Sequence, residues 1–407
     1  MNITGIIAEY NPFHKGHAYQ IKTLKEQHKS DYIIVAMSGN FVQRGTIAFT
    51  DKYERARMAL TMGADLVLEL PTLWSTSSAE YFAAAGVNLL NNTGVVTHLC
   101  FGAETDDLSS LKRISECLLN QKEELSSIIT AHLKNGVSFP VARQRALEHF
   151  LFDIPCQNIL TASNNILAIE YLKALRGTNI EPLLIQRVGD SYHQTSISSP
   201  FASATAIRQA IHSQKAEGIL DYVPKELLTQ YEALLANGAY LSENAISQML
   251  YYRLWNTPKE ELLSVSDCNA VLADKIQKSL PDYKDFTSFC DLLKSKDFTY
   301  TRISRVLMHA LLHITQEDYI AYKEENYCPY LRVLGFRKES ADLLKLIKNH
   351  SSCPIVTKVA DAKHYLPPKS LELLNNEIHY SDLYNQLLYT KKGWKNPNDF
   401  SHPIVIL

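Results

Sequence analysis

Long apolar runs are missing from this sequence. No stretch approaches the roughly 18 consecutive apolar residues of a membrane helix. The amino terminus shows no basic segment leading into an apolar one, so the expectation is a cytoplasmic protein with no membrane partner. Cysteine is sparse and scattered, at Cys100, Cys117, Cys156, Cys268, Cys290, Cys328 and Cys353, with no Cys-x-x-Cys pair. That spacing excludes a zinc ribbon or a dithiol motif and fits reduced thiols used mainly for packing. No metal ligand is assigned. Net charge is almost absent, −2 from 41 Lys+Arg and 43 Asp+Glu. A neutral total does not advertise nucleic-acid binding, although it can hide a local basic face. Low-complexity linkers and internal repeats are lacking too. What remains is an ordinary globular composition, 46% apolar over 407 residues, enough for two domains.

The most informative stretch is Gly5-Ile6-Ile7-Ala8-Glu9-Tyr10-Asn11-Pro12-Phe13-His14-Lys15-Gly16-His17. Its apolar start reads as a buried parallel strand, and Asn11-Pro12 as a turn, because proline fixes φ and restricts the residue before it. Ala18, Ile21, Leu24 and Lys25 then follow helical spacing. A strand, a turn and a helix start form an anion site, since the first helical amides lack partners and the helix dipole favours phosphate. Gly16 permits close approach of backbone and ligand, and the imidazoles of His14 and His17 can donate to phosphate oxygens.

Further strands are expected at Tyr32–Met37, Asp65–Pro71, Val95–Phe101 and Pro182–Val188, with helices between them. Their alternation predicts one parallel sheet with right-handed crossovers. Ligands bind at the carboxyl ends of such strands, which makes Ser38, Asn40, Gln43 and Arg44 candidate pocket residues. Gly102 follows the fourth strand and Arg187 lies in the fifth, while Ser163, Asn164 or Asn165 is placed to cap a helix. Pro140 interrupts a helical stretch from Leu108 to about Phe150.

A serine-rich loop then runs into Ala202-Ser203-Ala204-Thr205-Ala206-Ile207-Arg208. Hydroxyls at a helix start usually cap it. The alternative is a second phosphate-binding corner, with Ser203 and Thr205 as donors and Arg208 as counter-charge. Beyond Gly218 helical patterns dominate. The expected division is therefore 1–218, a Rossmann-like catalytic domain, and 219–407, a mainly helical domain. In the latter, Arg302, Arg305, His309 and His313 fall on one helix face. Pro329 to Lys338 mixes apolar and basic residues, either an edge that meets RNA or plain core. The tail carries Lys391, Lys392, Trp394 and Lys395, a chemistry suited to nucleic acid.

The first stretch resembles the His-x-Gly-His signature of the nucleotidyltransferase superfamily, and Ala202 to Arg208 resembles its second signature, with alanine in place of one serine. Together with Met37–Gly45, Gly63–Pro71 and Pro329–Phe336, they make the chain similar to the bacterial tRNA(Met) cytidine acetate ligases over most of its length. The resemblance implies an α/β fold with a Rossmann-like parallel sheet and a predominantly α-helical second domain. It implies an ATP-dependent ligase that forms acetyl-adenylate and acetylates N4 of the wobble cytidine of elongator tRNA(Met). Acetate, ATP and that tRNA would be its partners, and Mg2+ would accompany ATP. By the same resemblance Ile7 to His17, Gly102, Asn164, Asn165 and Arg187 contact the nucleotide. His14, His17, Ser203, Thr205 and Arg208 stabilise the transferring phosphate. Arg302, Arg305, Arg332 and Lys338 are assigned to tRNA. The competing reading is a small-molecule adenylyltransferase making a nucleotide cofactor, which leaves the second domain without a role.

Overall fold

A computed structural model describes residues 1–187, 203–212 and 220–407. Val188, Gly189, the loop up to Ala202 and the expected boundary around Gly218 lie outside the described residues. The sheet is built from β1 (Ile3–Ala8), β2 (Tyr32–Ser38), β5 (Leu66–Leu70), β6 (His98–Ala103), β7 (Glu181–Gln186), β8 (Leu331–Phe336), β9 (Ile355–Val356) and β10 (Val405–Ile406). A small hairpin, β3 (Phe41–Val42) and β4 (Thr46–Ile47), stands apart. The strand order is β10-β8-β5-β2-β1-β6-β7, with β9 beside β8. Strands β5, β2, β1, β6 and β7 run parallel, with Ile6 opposite Val35 on one side and Cys100 on the other. The order therefore reverses at β1, and the crevice at that switch point is where an open α/β sheet binds its ligand.

Both faces of the sheet are buried, as the continuous apolar strands require. Along β2 the side chains alternate. Ile33, Val35 and Met37 enter one core with Ile21 and Leu24 of helix α1 (Lys15–Glu26) and Ala56, Met58 and Ala59 of α2 (Lys52–Thr61). Ile34 and Ala36 enter the opposite core with Phe82, Ala83 and Ala85 of the helix Ala79–Asn91 and Ala168, Ile169 and Leu172 of the helix Ser163–Leu175. Asp51 caps α2, accepting from the amides of Tyr53 and Glu54, and Gly63 follows with a φ of +105°. Pro140 does not interrupt a helix. It sits in the first turn of Phe139–Phe150, where a missing N–H loses nothing.

The stretch Pro329–Lys338 contains neither an exposed edge nor an RNA contact of Arg332. It holds β8, which pairs antiparallel with β5 and parallel with β10. The sheet thus takes three strands, β8, β9 and β10, from the far end of the chain, and a cut at 218 would divide it. Between them, residues 225–324 are helical. Among the described residues no helix is long and apolar enough to cross a membrane.

Candidate active site

Strand β1 delivers the chain to the switch point. Tyr10 then turns it with a φ of 49°, rare for a bulky residue, and the Asn11–Pro12 peptide is cis. The Tyr10 ring is buried against Phe13 and His17, with centroids 4.7 and 4.9 Å away. The Asn11 side-chain oxygen accepts from the amide of Phe49 at 2.6 Å, and the Tyr231 hydroxyl donates to the Phe13 carbonyl. The loop is thereby held from three directions before helix α1 begins.

His14 is the N-cap of α1. Its Nδ1 accepts from the Gly16 amide at 3.0 Å, while its own amide donates to Nδ1 of His17 at 3.3 Å. The capping box that serine and glutamate usually make is made here by two histidines. Gly16 serves this arrangement, since a Cβ there would stand 2.9 Å from Cε1 of His14. The two rings stack at 3.7 Å. With both Nδ1 atoms accepting, each neutral ring carries its proton on Nε2. Burial, aided by the charge of Arg187, pushes His14 down to about 3. Burial, His14 and Arg187 likewise hold His17 well below its ordinary value. The pair is thus neutral at pH 7 and offers two N–H donors whose orientation the backbone fixes.

A cleft of about 170 Å3 opens at the ends of β1 and β6. Of the expected site residues, Ile7, Ala8, Glu9, Tyr10, Asn11, His14, His17, Gly102, Asn164, Arg187, Ser203 and Arg208 line it. Pro12, Phe13, Lys15, Gly16, Asn165 and Thr205 do not. Phe13 belongs to the core and Lys15 donates to the Asp221 carbonyl. Asn165 is buried, with its side-chain oxygen accepting from the amides of Glu104 and Thr105 at 2.9 and 3.1 Å. None of Ser163, Asn164 and Asn165 caps the helix Ser163–Leu175. Glu104 does so from across the cleft, accepting from the Asn165 amide at 2.9 Å and from Nδ2 of Asn164 at 2.7 Å. Gly102 leaves room for Arg187, whose Cγ would lie 3.1 Å from a Cβ at that position.

Ser203 caps the helix Ala204–His212 through the Ala206 amide at 3.2 Å and also faces the cleft. Arg208 donates to the Asn11 carbonyl at 2.6 Å and to Oγ1 of Thr205 at 3.4 Å, so it ties the second signature to the first. Thr205 faces a neighbouring groove of about 660 Å3, which Arg208 also lines.

Two supporting groups carry no motif that would reveal them. Arg55, fully buried, donates to the carbonyls of Glu9 at 2.7 Å, Ser38 at 2.9 Å and Thr50 at 3.0 Å, and to that of Gly39. It pins the ends of β1 and β2 together through carbonyls. Behind it Lys52, Glu69, Arg332 and Asp399 form a buried network. Lys52 Nζ lies 2.8 Å from both carboxylates, and Arg332 lies 2.8 Å from Glu69 and 3.1 Å from Asp399. Arg332 is therefore a core cation, unable to reach RNA. His309 is buried too, beside Oγ1 of Thr76, and burial pushes it down to about 4. Arg302 and Arg305 both pair with Asp267, at 3.3 and 2.8 Å. Lys338 is exposed, and Trp394 is 48% exposed beside Lys392.

The same scaffold recurs in known proteins. Residues 1–398 match the family described as HIGH Nucleotidyl Transferase. The fold superposes on the crystal structure of Thermotoga maritima TmcAL, apo form I, with a TM-score of 0.93 and 30% identity over all of both chains. The same protein bound with alpha-thio ATP gives 0.91 and 29%, again over all of both chains. The tRNA(Met) cytidine acetate ligase of Thermoanaerobacter sp. strain X514 is 39% identical over the full length of both chains. The chain belongs to the tRNA(Met) cytidine acetate ligase family. The Clostridium perfringens member (strain ATCC 13124) is 38% identical over 95% of this chain and 96% of its own. As a member of that family, the protein is an enzyme of the ligase class, built on the nucleotidyltransferase fold that its first signature implied.

Proposed function

We propose that this ligase activates acetate with ATP as acetyl-adenylate and transfers the acetyl group to N4 of the wobble cytidine of elongator tRNA(Met). In the first step an acetate oxygen bonds to the α-phosphorus, and the bond to the bridging oxygen breaks with its electron pair leaving on pyrophosphate. In the second the exocyclic amine attacks the acetyl carbon, the acyl–oxygen bond breaks, AMP leaves, and the amine gives up one proton to solvent. Neither step needs a nucleophilic side chain. Alignment and charge stabilisation suffice.

The observation that carries this reading is the paired Nε2–H donors of His14 and His17 at the head of α1, with Arg187 and Arg208 opposite in one cleft. Donors aimed before the reaction stabilise developing phosphate charge without reorganising. ATP in the cleft is further supported by the nucleotide analogue in the Thermotoga relative. Among the described residues no group of three or more His, Cys, Asp and Glu side chains could hold a metal. Mg2+ would therefore be held chiefly by the ATP phosphates, neutralising their charge. The tRNA partner is supported by the names of the relatives. The tail also suits RNA, with Lys391, Lys392 and Lys395 stacked over Tyr240, Trp394 and Tyr389.

The test is transfer of radiolabelled acetate to bacterial tRNA with and without ATP, followed by nucleoside digestion. ATP-dependent label in N4-acetylcytidine is expected. No label, from protein shown to bind ATP and tRNA, would overturn the reading and favour a small-molecule adenylyltransferase.

A further inference from the structure

Beside the nucleotide cleft lies a second chamber of about 210 Å3. It shares the wall residues Glu9, Gln43, Asn164 and Leu167 with the cleft, so the two spaces adjoin at the end of β1. Its remaining walls come from elsewhere. Arg44 stands at the tip of the β3–β4 hairpin, Thr301 and Arg305 lie on the helix Tyr300–Leu312, and Ala79 and Ile166 supply apolar surface. We propose that this chamber is the subsite for the small carboxylate co-substrate, with Arg44 and Arg305 gripping the carboxylate and Ala79 and Ile166 bounding its alkyl end. The inference rests on the acyl-adenylation reading above.

The chemistry fits a carboxylate. Guanidinium groups recognise carboxylates through paired N–H donors, and two of them here converge from separate elements. Their backbones abut. The Ser304 hydroxyl donates to the Gly45 carbonyl at 3.0 Å, and a Cβ at Gly45 would stand within 2.7 Å of the Ser304 carbonyl carbon. The positions of Arg44 and Arg305 are thus coupled. Arg305 gives one terminal nitrogen to Asp267 at 2.8 Å, but a guanidinium has five N–H groups, so donors remain for a second acceptor. The one carboxylate in the wall, Glu9, is turned toward backbone, with Oε1 accepting from the Gln43 amide at 2.8 Å.

The groove on the other side, lined by Arg44, Arg208 and Glu243, is three times larger at about 660 Å3 and too wide to discriminate among short acids. An acid seated between Arg44 and Arg305 also lies beside Glu9 and Asn164, the residues through which the chamber meets the nucleotide.

The experiment is acetate-dependent exchange of labelled pyrophosphate into ATP, run on the full chain without tRNA. Arg44→Gln, at a half-exposed loop position, is expected to raise the acetate KM at least about 10-fold while the ATP KM moves less than about twofold. The unchanged ATP KM reports an intact fold. Ile166→Ala is expected to raise the preference for propionate over acetate by about fivefold or more. An Arg44→Gln enzyme whose acetate and ATP KM values shift together, or in which neither shifts, would overturn the subsite, as would unchanged acid preference in Ile166→Ala. Exchange that ignores acetate in the unaltered enzyme would instead sink the acyl-adenylation reading, and the subsite with it.

Discussion

His14 and His17 do different work although they share a motif. His14 caps α1 with Nδ1 and is buried, while His17 is half-buried, one turn into the helix. Replacing His14 by alanine removes a cap, with an expected loss of about 1 kcal/mol of stability. It also removes the Nε2–H that the proposed function assigns to phosphate. His17→Ala keeps the Nδ1 bond of His14 to the Gly16 amide but loses the acceptor of the His14 amide. Under the proposed function, both substitutions are expected to lower acetate-dependent pyrophosphate exchange about 100-fold or more. The buried N-cap His14→Ala should lower the thermal midpoint further than His17→Ala, so calorimetry beside a pyrophosphate-exchange assay separates the two roles. Equal melting of both variants would contradict the capping assignment. Protonation gives a further check. Both imidazoles are held below their usual range, so the pair in the free enzyme should stay neutral as pH falls past the ordinary imidazole value of 6.5, with charging of His14 setting in only near about 3.

At the level of elements, the hairpin β3–β4 and the helix Tyr300–Leu312 meet at Gly45. That residue has a φ of +69° and no room for a Cβ against the helix backbone. Gly45→Ala is expected to cost about 1–3 kcal/mol and to depress exchange activity, because the loop carrying Gln43 and Arg44 must shift. A crystal structure and a melting curve of that variant would check it. Unchanged stability would show that the contact yields easily.

The strand–turn–helix at residues 3–26 is legible from sequence because each part is local: an apolar run, a proline, then helical spacing. Asp51 and Gly63 are legible for the same reason. Arg55, Glu104 and Arg332 are not. Arg55 finds its carbonyls only once β1 and β2 lie side by side, and Glu104 caps a helix about 60 residues away. Arg332 reads as a surface cation until β8 is known to enter the sheet. Gly102, Arg187 and Asn164 line the cleft, yet resemblance pointed to them; no local pattern does.

For the whole molecule, the buried charges behind the site are the controlling feature. Lys52 and Arg332 face Glu69 and Asp399, and their mutual attraction lowers Asp399. Glu377 lies beyond them, bonded to the Thr72 amide and hydroxyl, and burial followed by repulsion from Glu69 raises it to about 8. A raised carboxyl keeps its proton in the folded state after the unfolded chain has lost it. Its contribution is therefore fully present below about pH 4.5 and is lost as pH rises to about 8. Glu377→Gln should remove that decline, giving a thermal midpoint that changes less than the parent's across this window. Identical slopes would show that Glu377 ionises freely.

The place of β10 and Asp399 in chain order has a consequence for biosynthesis. Domains generally fold as units while they emerge from the ribosome. Here Lys52 meets its partner Asp399 only after residue 399 has been made, and β8 cannot pair with β5 before residue 331 exists. Until then Lys52 and Glu69 have only each other, without the second cation and second carboxylate that complete the buried network. The charged core behind the candidate site is thus completed only by residues made late, although Lys52 and Glu69 are made early.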